Sequence, residues 1–293
     1  MPLLKGREKN FGEIKNCVID LQPMFFKLTF DTTMFLLFGE EIRVVGKDAE
    51  KFVEAFNIAQ GCLAQRGRLE ACKVCHGTVD EGDKKVIRDQ LLNVLLAGRD
   101  TTGCCLQWTF PLLARHQDVL AKVREEIKRI VGVGRDAPQP TRDHLKRMTY
   151  LNLVIKEVLR LYPSVPVNSR EAIRLTTLPL VRPGEGVGYC VYAMHRRKDI
   201  YGEDAEEFRP ERWEGGALKD VGWGYLPFNG GPRLCLGQEF TLLEVSYTVA
   251  RMVQVFSKIE VPPGEVLVAV GEEKQNLTLV VSSADGCWVL MKS

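Results

Sequence analysis

A single cysteine in a loop rich in glycine and proline constrains this chain more than any other feature of its sequence. Residues 228–237 are Phe-Asn-Gly-Gly-Pro-Arg-Leu-Cys-Leu-Gly, with Cys235 two residues after Arg233, and the apolar run from Phe240 predicts a helix directly afterwards. A thiol at the start of a helix lies near unpaired backbone N–H groups and the positive end of the helix dipole. Both favour the thiolate, which is the form that binds metals. The segment therefore predicts a loop that presents Cys235 as a metal ligand.

Two glycines of the same loop indicate what lies against it. Gly231 and Gly237 have no side chain, so the backbone at these positions can come close to another molecule. In combination with the thiolate, this predicts a metal site that faces something large and flat.

Composition excludes several classes of protein. The chain has 293 residues, 45% hydrophobic and 27% charged, and its 40 Lys and Arg nearly balance its 38 Asp and Glu. This is ordinary globular composition without the basic excess of a nucleic-acid-binding protein. The 9 cysteines are scattered and odd in number, which favours a reducing compartment over a disulfide framework. The sequence contains no export signal and no apolar run of the ~20 residues that a membrane span requires.

Hydrophobic periodicity predicts a mainly α fold with a minor β region, in a single domain over residues 1–293. The strongest helical patterns cover about 83–114, 149–161 and 236–256. After Pro166, short strands are predicted at 172–180, 186–192, 266–270, 277–282 and 287–291.

The longest predicted helix contains the sequence Ala-Gly-Arg-Asp-Thr-Thr at 97–102. Gly98 weakens the helix, and Thr101 can donate a hydrogen bond to a preceding carbonyl. With Asp100, these residues suit a groove for a small ligand and a path for protons. They equally suit a small-residue site where another element packs.

In the helix predicted at about 149–161, a carboxylate and a guanidinium lie three residues apart. Glu157 and Arg160 would lie on one face of that helix, whose surroundings are apolar on nearly every side. A buried pair of this kind needs further partners, and Arg212 in the long loop before the cysteine is a candidate. A solvated surface pair is the alternative.

A second cysteine motif offers a competing interpretation. Cys72, Cys75 and His76 match the Cys-x-x-Cys-His pattern to which haem is attached covalently in c-type electron carriers. Such attachment belongs to exported proteins, and a short pattern arises readily by chance in a chain rich in cysteine. A zinc site would need a fourth ligand, for which Cys62 is available.

The order of these motifs resembles the cytochromes P450. The segment 97–102 is similar to the oxygen-activating part of their I helix, Glu157-x-x-Arg160 to their K helix, and 208–213 to their meander motif. The segment 228–237 matches every fixed position of their haem loop. The resemblance covers most of the chain and implies a partial P450 fold.

The resemblance implies a role for each candidate residue. Cys235 would be the axial thiolate of haem b, shielded by Phe228 and cradled at Gly231 and Gly237. Arg233 and Arg170 would pair with the haem propionates, since a guanidinium suits a carboxylate. Asp100 and Thr101 would pass protons towards dioxygen, and Glu157, Arg160 and Arg212 would form a structural ion network.

The segments 31–40, 92–102, 192–202 and 225–233 are similar to those of fungal P450s that hydroxylate n-alkanes and fatty acids. This implies a monooxygenase with a small, long-chain apolar substrate, electrons from NADPH through cytochrome P450 reductase, and no nucleic acid. A full-length relative would lie in the endoplasmic reticulum membrane, and this chain would be cytoplasmic or peripheral. Compared with the family, the chain is expected to be N-terminally truncated and internally shortened between Gly67 and Asp83. The alternative to an enzyme is therefore a non-catalytic relative with impaired haem binding.

Overall fold

Helices make up most of the structure, a computed structural model that describes residues 17–38, 84–174 and 181–292. The helices are α1 Gln22–Phe38, α2 Lys84–Arg115, α3 Gln117–Ile130, α4 Arg142–Arg147, α5 Thr149–Leu161, α6 Val191–Met194, α7 Lys198–Tyr201 and α8 Gln238–Val255. The strands are β1 Cys17–Asp20, β2 Val167–Glu171, β3 Gly186–Cys190, β4 Lys258–Glu260, β5 Gln275–Leu277, β6 Val281–Ser283 and β7 Trp288–Lys292. The predicted class, mainly α with a minor β region, is confirmed. None of the helices within the described ranges combines the length and the apolar character needed to cross a bilayer.

The core forms where α2, α3, α5 and α8 pack together. Apolar side chains recur on the inward face of each helix; examples with no exposed surface are Phe110, Val123, Val158 and Val249. Burying such a side chain contributes about 1.5–3 kcal/mol. The cysteine loop adjoins this core, because Phe228 packs against it and α8 starts directly after the loop.

Helix α1 packs against α2 at two glycines. A methyl group added at Gly98 would lie 2.6 Å from Oγ1 of Thr33, and one added at Gly103 would lie 2.8 Å from the ring of Phe26. The hydroxyl of Thr29 donates to the carbonyl of Arg99 over 2.7 Å. The small-residue packing site, one of the two interpretations of segment 97–102, is therefore occupied at Gly98 by α1.

Three small antiparallel sheets are present in the described residues. The first has the order β1-β7-β4, the second is the β2–β3 hairpin, and the third pairs β5 with β6. The strand predicted at 266–270 is wrong, because this stretch has irregular backbone. Val266 and Leu267 are exposed there, and a strand without a partner leaves its backbone groups unpaired.

The Cys-x-x-Cys-His motif at Cys72, Cys75 and His76 lies outside the described residues. The covalent-haem and zinc interpretations of that motif therefore stay predictions.

Candidate functional site

The predicted cysteine loop closes on itself and turns its thiol outward. A 3₁₀ turn occupies Gly231–Arg233, and the N–H of Cys235 then donates to the carbonyl of Phe228 over 2.9 Å. Phe228 is half-buried against the core, whereas Cys235 is an exposed free thiol. Helix α8 begins three residues later, preceded by Gly237. The loop is thus anchored at Phe228 and presents Cys235 at the start of a helix.

The surroundings of Cys235 suit a metal whose other ligands come from a planar organic group. Within the described ranges, no group of three or more His, Cys, Asp or Glu side chains could hold a metal ion. A methyl group added at Gly237 would meet no atom within 4 Å. The flanking Leu234 and Leu236 are exposed apolar side chains. One thiol, an open glycine at 237 and an apolar rim fit haem iron, which takes a single cysteine thiolate on one side.

Two exposed arginines are candidates to bind the anionic edge of such a group. The side chain of Arg233 is exposed, and its guanidinium makes no hydrogen bond or ion pair with the residues that the structure describes. Arg170 lies on β2, where it is also exposed, donates to the carbonyl of Ser169, and lies over the ring of Tyr189 with 5.7 Å to the centroid. Neither cation is held by a described carboxylate.

Asp100 and Thr101 are adjacent in α2 but have different partners. Asp100 is buried and forms an ion pair with Arg99 at 3.2 Å. The hydroxyl of Thr101 donates to the carbonyl of Ala97 over 2.6 Å, which confirms the back-bond predicted from the sequence. The carbonyl of Thr101 accepts from the hydroxyl of Ser164 over 2.7 Å.

A neighbouring threonine links this part of α2 to the cysteine loop. The hydroxyl of Thr102 contacts that of Thr241 at 3.3 Å, and both side chains are buried. Thr241 lies in the first turn of α8, and its N–H donates to the carbonyl of Gly237. This hydroxyl pair therefore links the predicted proton-handling segment to the start of the helix that follows the cysteine loop.

The predicted Glu157–Arg160–Arg212 network is assembled and buried. Nε and Nη2 of Arg160 each donate to a different oxygen of Glu157 over 2.9 Å. Arg212 Nε donates to Glu157 over 2.8 Å, and the indole of Trp213 does so over 2.9 Å. Because Arg212 and Trp213 come from the loop before the cysteine, the carboxylate of Glu157 ties that loop to helix α5.

The two arginines also bind backbone carbonyls of the connecting segments. Arg160 donates to the carbonyls of His195, Ala205 and Glu207. A guanidinium has five N–H donors, and burying them without hydrogen-bond partners would strongly destabilise the folded state. The three carbonyls are therefore needed as acceptors. The network thus fixes the backbone between α6 and the meander.

His195 is a site residue that the sequence analysis missed. Its Nδ1 lies 3.0 Å from the carbonyl of Arg160, and its Nε2 accepts from the N–H of Leu226 over 2.8 Å. Burial lowers the pKa of His195 to about 4. The neutral ring connects α5 to the residue two before Phe228. A lone histidine has no spacing pattern, so nothing in the sequence indicated this role.

Glu126 of α3 holds the start of α5. Its carboxylate accepts hydrogen bonds from the hydroxyl of Thr149 and from the N–H groups of Tyr150 and Leu151, the latter two at 2.9 Å. These are the backbone donors that a helix leaves unpaired at its N-terminus, and a carboxylate stabilises the positive end of the dipole. The helix that carries Glu157 and Arg160 is therefore fixed at both ends.

Comparison with known proteins agrees with this geometry. The cytochrome P450 family model matches residues 69–280. A cytochrome P450 of Arthroderma benhamiae is 51% identical, with 99% of this chain and 73% of that protein covered. The chain belongs to the cytochrome P450 family. The fold is likewise similar to the haem domain of a cytochrome P450DA mutant, with a TM-score of 0.76 at 22% identity over 94% of this chain and 67% of that one.

Yeast P450s are also similar, and the chain spans less than two thirds of their length. Cytochrome P450 52A13 of Debaryomyces hansenii is 40% identical, with 88% of this chain and 63% of that protein covered. Cytochrome P450 52A6 of Candida tropicalis is 37% identical, with 85% and 61% covered. The alignment with the Arthroderma protein extends over 365 residues, against 293 in this P450, so it contains gaps on the side of this chain.

Proposed function

We propose that this P450 is a haem-thiolate monooxygenase that inserts one oxygen atom from dioxygen into a long-chain apolar substrate, an alkane or a fatty acid. The observation that carries the proposal is Cys235, an exposed thiol at the start of α8 in a loop closed by the hydrogen bond to Phe228. The sequence similarity to fungal alkane and fatty-acid hydroxylases supports the substrate class.

In this proposal, haem b bound at Cys235 supplies the oxidising chemistry, and the protein supplies the ligand and its surroundings. Cys235 would hold the haem iron as its thiolate ligand, and Phe228, which is half-buried against the core, would shield the sulfur. The exposed Arg233 and Arg170 would bind the haem propionates as charge-assisted hydrogen-bond donors. Gly231 and Gly237 leave room for the macrocycle.

Asp100 and Thr101 are the proposed proton-handling residues. The Asp100 carboxylate is held by Arg99, and the Thr101 hydroxyl, which now donates to Ala97, also has lone pairs that can accept a proton. Electrons come from NADPH through cytochrome P450 reductase, and the proposal includes a peripheral or cytoplasmic location next to the endoplasmic reticulum.

The test is the absorption spectrum of the purified chain after reconstitution with haem, reduction and addition of carbon monoxide. We expect the red-shifted band of a thiolate-ligated haem, and its loss in Cys235→Ser. Cys17→Ser and Cys190→Ser are matched controls, because both residues are exposed thiols in the described ranges. A wild-type chain that takes up no haem, or a Cys235→Ser variant that keeps the band, would contradict the proposal.

A second candidate is a P450 relative that no longer binds haem. The gaps in the alignment with the Arthroderma protein favour it, because part of the haem surroundings in a P450 comes from segments outside the described site. The same spectra separate the two candidates. Haem that resists acid–acetone extraction would instead indicate covalent attachment at Cys72 and Cys75.

A further inference from the structure

Three polar side chains connect the β2–β3 hairpin to the cysteine loop. Asn168 and Tyr189 lie opposite each other in the antiparallel pair. The hydroxyl of Tyr189 donates to Oδ1 of Asn229 over 2.6 Å, and Nδ2 of Asn229 donates to Oδ1 of Asn168 over 3.2 Å. These three half-buried residues form a hairpin–loop bridge.

The backbone at Asn229 is unusual as well. Its φ of +62° is in the left-handed region, and no other non-glycine residue of the described ranges has a positive φ. Asparagine tolerates this conformation better than most residues, yet it is still uncommon. Two side-chain hydrogen bonds to the hairpin hold the residue there.

Asn229 lies next to the hydrogen bond that closes the cysteine loop. Asn229 directly follows Phe228, whose carbonyl accepts the N–H of Cys235 over 2.9 Å. Fixing Asn229 therefore fixes the peptide group on which the closure of the loop depends. On the hairpin side, Arg170 lies over the ring of Tyr189.

We propose that Asn229 is a positioning residue, which through the hairpin–loop bridge holds Cys235 in place for haem iron before haem arrives. The role of Cys235 as ligand rests on the proposed function, whereas the hold of the bridge on the loop is a property of the polypeptide alone. The bridge also sets the distance between two proposed haem contacts, Cys235 in the loop and Arg170 in the hairpin. A haem-free chain then offers a preformed site.

The first test is amide hydrogen exchange of the haem-free protein, resolved at Cys235. Asn229→Gly removes the side chain but keeps a residue that adopts positive φ freely. Tyr189→Phe removes one hydroxyl and nothing else. We expect exchange at Cys235 to become about threefold to tenfold faster in Tyr189→Phe, the effect of losing one net hydrogen bond, and at least as much faster in Asn229→Gly, which loses both hydrogen bonds of the bridge. Because both act through one bridge, the double variant should exchange no faster than Asn229→Gly alone.

Tyr192→Phe is the matched control. Its hydroxyl accepts from Gln275 and lies outside the bridge, so exchange at Cys235 should stay at the wild-type rate. Amides in the middle of α8 report general loosening of the fold. Unchanged exchange at Cys235 in Asn229→Gly and Tyr189→Phe would overturn the proposal, and so would an equal rise throughout α8.

The second test uses the reconstituted protein. In Asn229→Gly, a larger share of the reduced, carbon-monoxide-bound haem should lack the thiolate-type band, because the thiol is no longer held in one position. If the wild type takes up no haem, the proposed function fails, and the exchange data alone still decide whether the bridge positions Cys235.

Discussion

Glu157 and Arg160, one turn apart in α5, form a bidentate ion pair in which neither side chain has any exposed surface. Arg212 and Trp213 from the meander also donate hydrogen bonds to Glu157. Arg160 in turn donates to three backbone carbonyls that lie at separate positions of the chain. One carboxylate thus organises the chain between α6 and the cysteine loop.

Replacing Glu157 by Ala should destabilise the fold strongly. The change leaves the buried Arg160 without its carboxylate and Arg212 with only Asp204 as an ion-pair partner, and breaking a buried pair in this way costs about 3–5 kcal/mol. Urea unfolding followed by circular dichroism measures the loss. Glu125→Ala is the control, because Glu125 forms an exposed pair with Lys128 and should change stability by less than about 0.5 kcal/mol. Equal effects of the two substitutions would contradict a buried network.

Gly98→Ala should also destabilise, although alanine normally stabilises the middle of a helix by about 0.5–1 kcal/mol relative to glycine. The added methyl group would lie 2.6 Å from Oγ1 and 3.0 Å from Cγ2 of Thr33, so the Thr33 side chain or α1 itself must shift. We expect a loss of about 1–3 kcal/mol in urea unfolding. In a Thr33→Ala background both atoms are gone, and the same substitution should become neutral or stabilising. A gain in the wild-type background would show that α1 does not pack there.

Interactions between residues close in sequence were predictable, and those between distant residues mostly were not. The cysteine loop, the long helix and the Glu157–Arg160 pair follow from local spacing, and the ordered motifs identified Arg212 as their partner. The pairing of β1 with β7 joins residues at opposite ends of the chain, and no periodicity encodes it. For Gly98, the sequence allowed a ligand groove or a packing site, and only the position of Thr33 distinguishes them.

The buried His195 should make the protein less stable in mild acid. Burial lowers the pKa of His195 to about 4, whereas an unfolded histidine has a pKa of about 6.5. Between these values the unfolded chain binds one more proton than the folded one, so stability falls as pH decreases from about 6.5 to 4, by at most about 1.4 kcal/mol per unit. Urea unfolding of wild type and His195→Gln across this range measures it. The variant should be less stable at pH 7 and show a shallower slope; parallel slopes would refute the assignment.

Glu244 in α8 should have the opposite pH dependence. Both of its carboxyl oxygens are buried without a hydrogen-bond partner. Burial raises the pKa of Glu244 to about 8. The Thr32 hydroxyl donates to the carbonyl of Leu28, so it has no proton to give to a carboxylate. The folded state therefore keeps Glu244 protonated at neutral pH.

An unfolded glutamate has a pKa of about 4.3. Between pH 4.3 and 8 the folded chain binds the extra proton, so the contribution of Glu244 to stability decreases as pH rises, by at most about 1.4 kcal/mol per unit. Glu244→Gln removes the titrating group at nearly constant shape, so its stability relative to wild type should improve steadily from pH 5 to pH 8 in urea unfolding. Glu239→Gln, at an exposed position of the same helix, is the control and should show no such trend. A pH-independent difference between wild type and Glu244→Gln would mean that Glu244 is ionised in the folded protein.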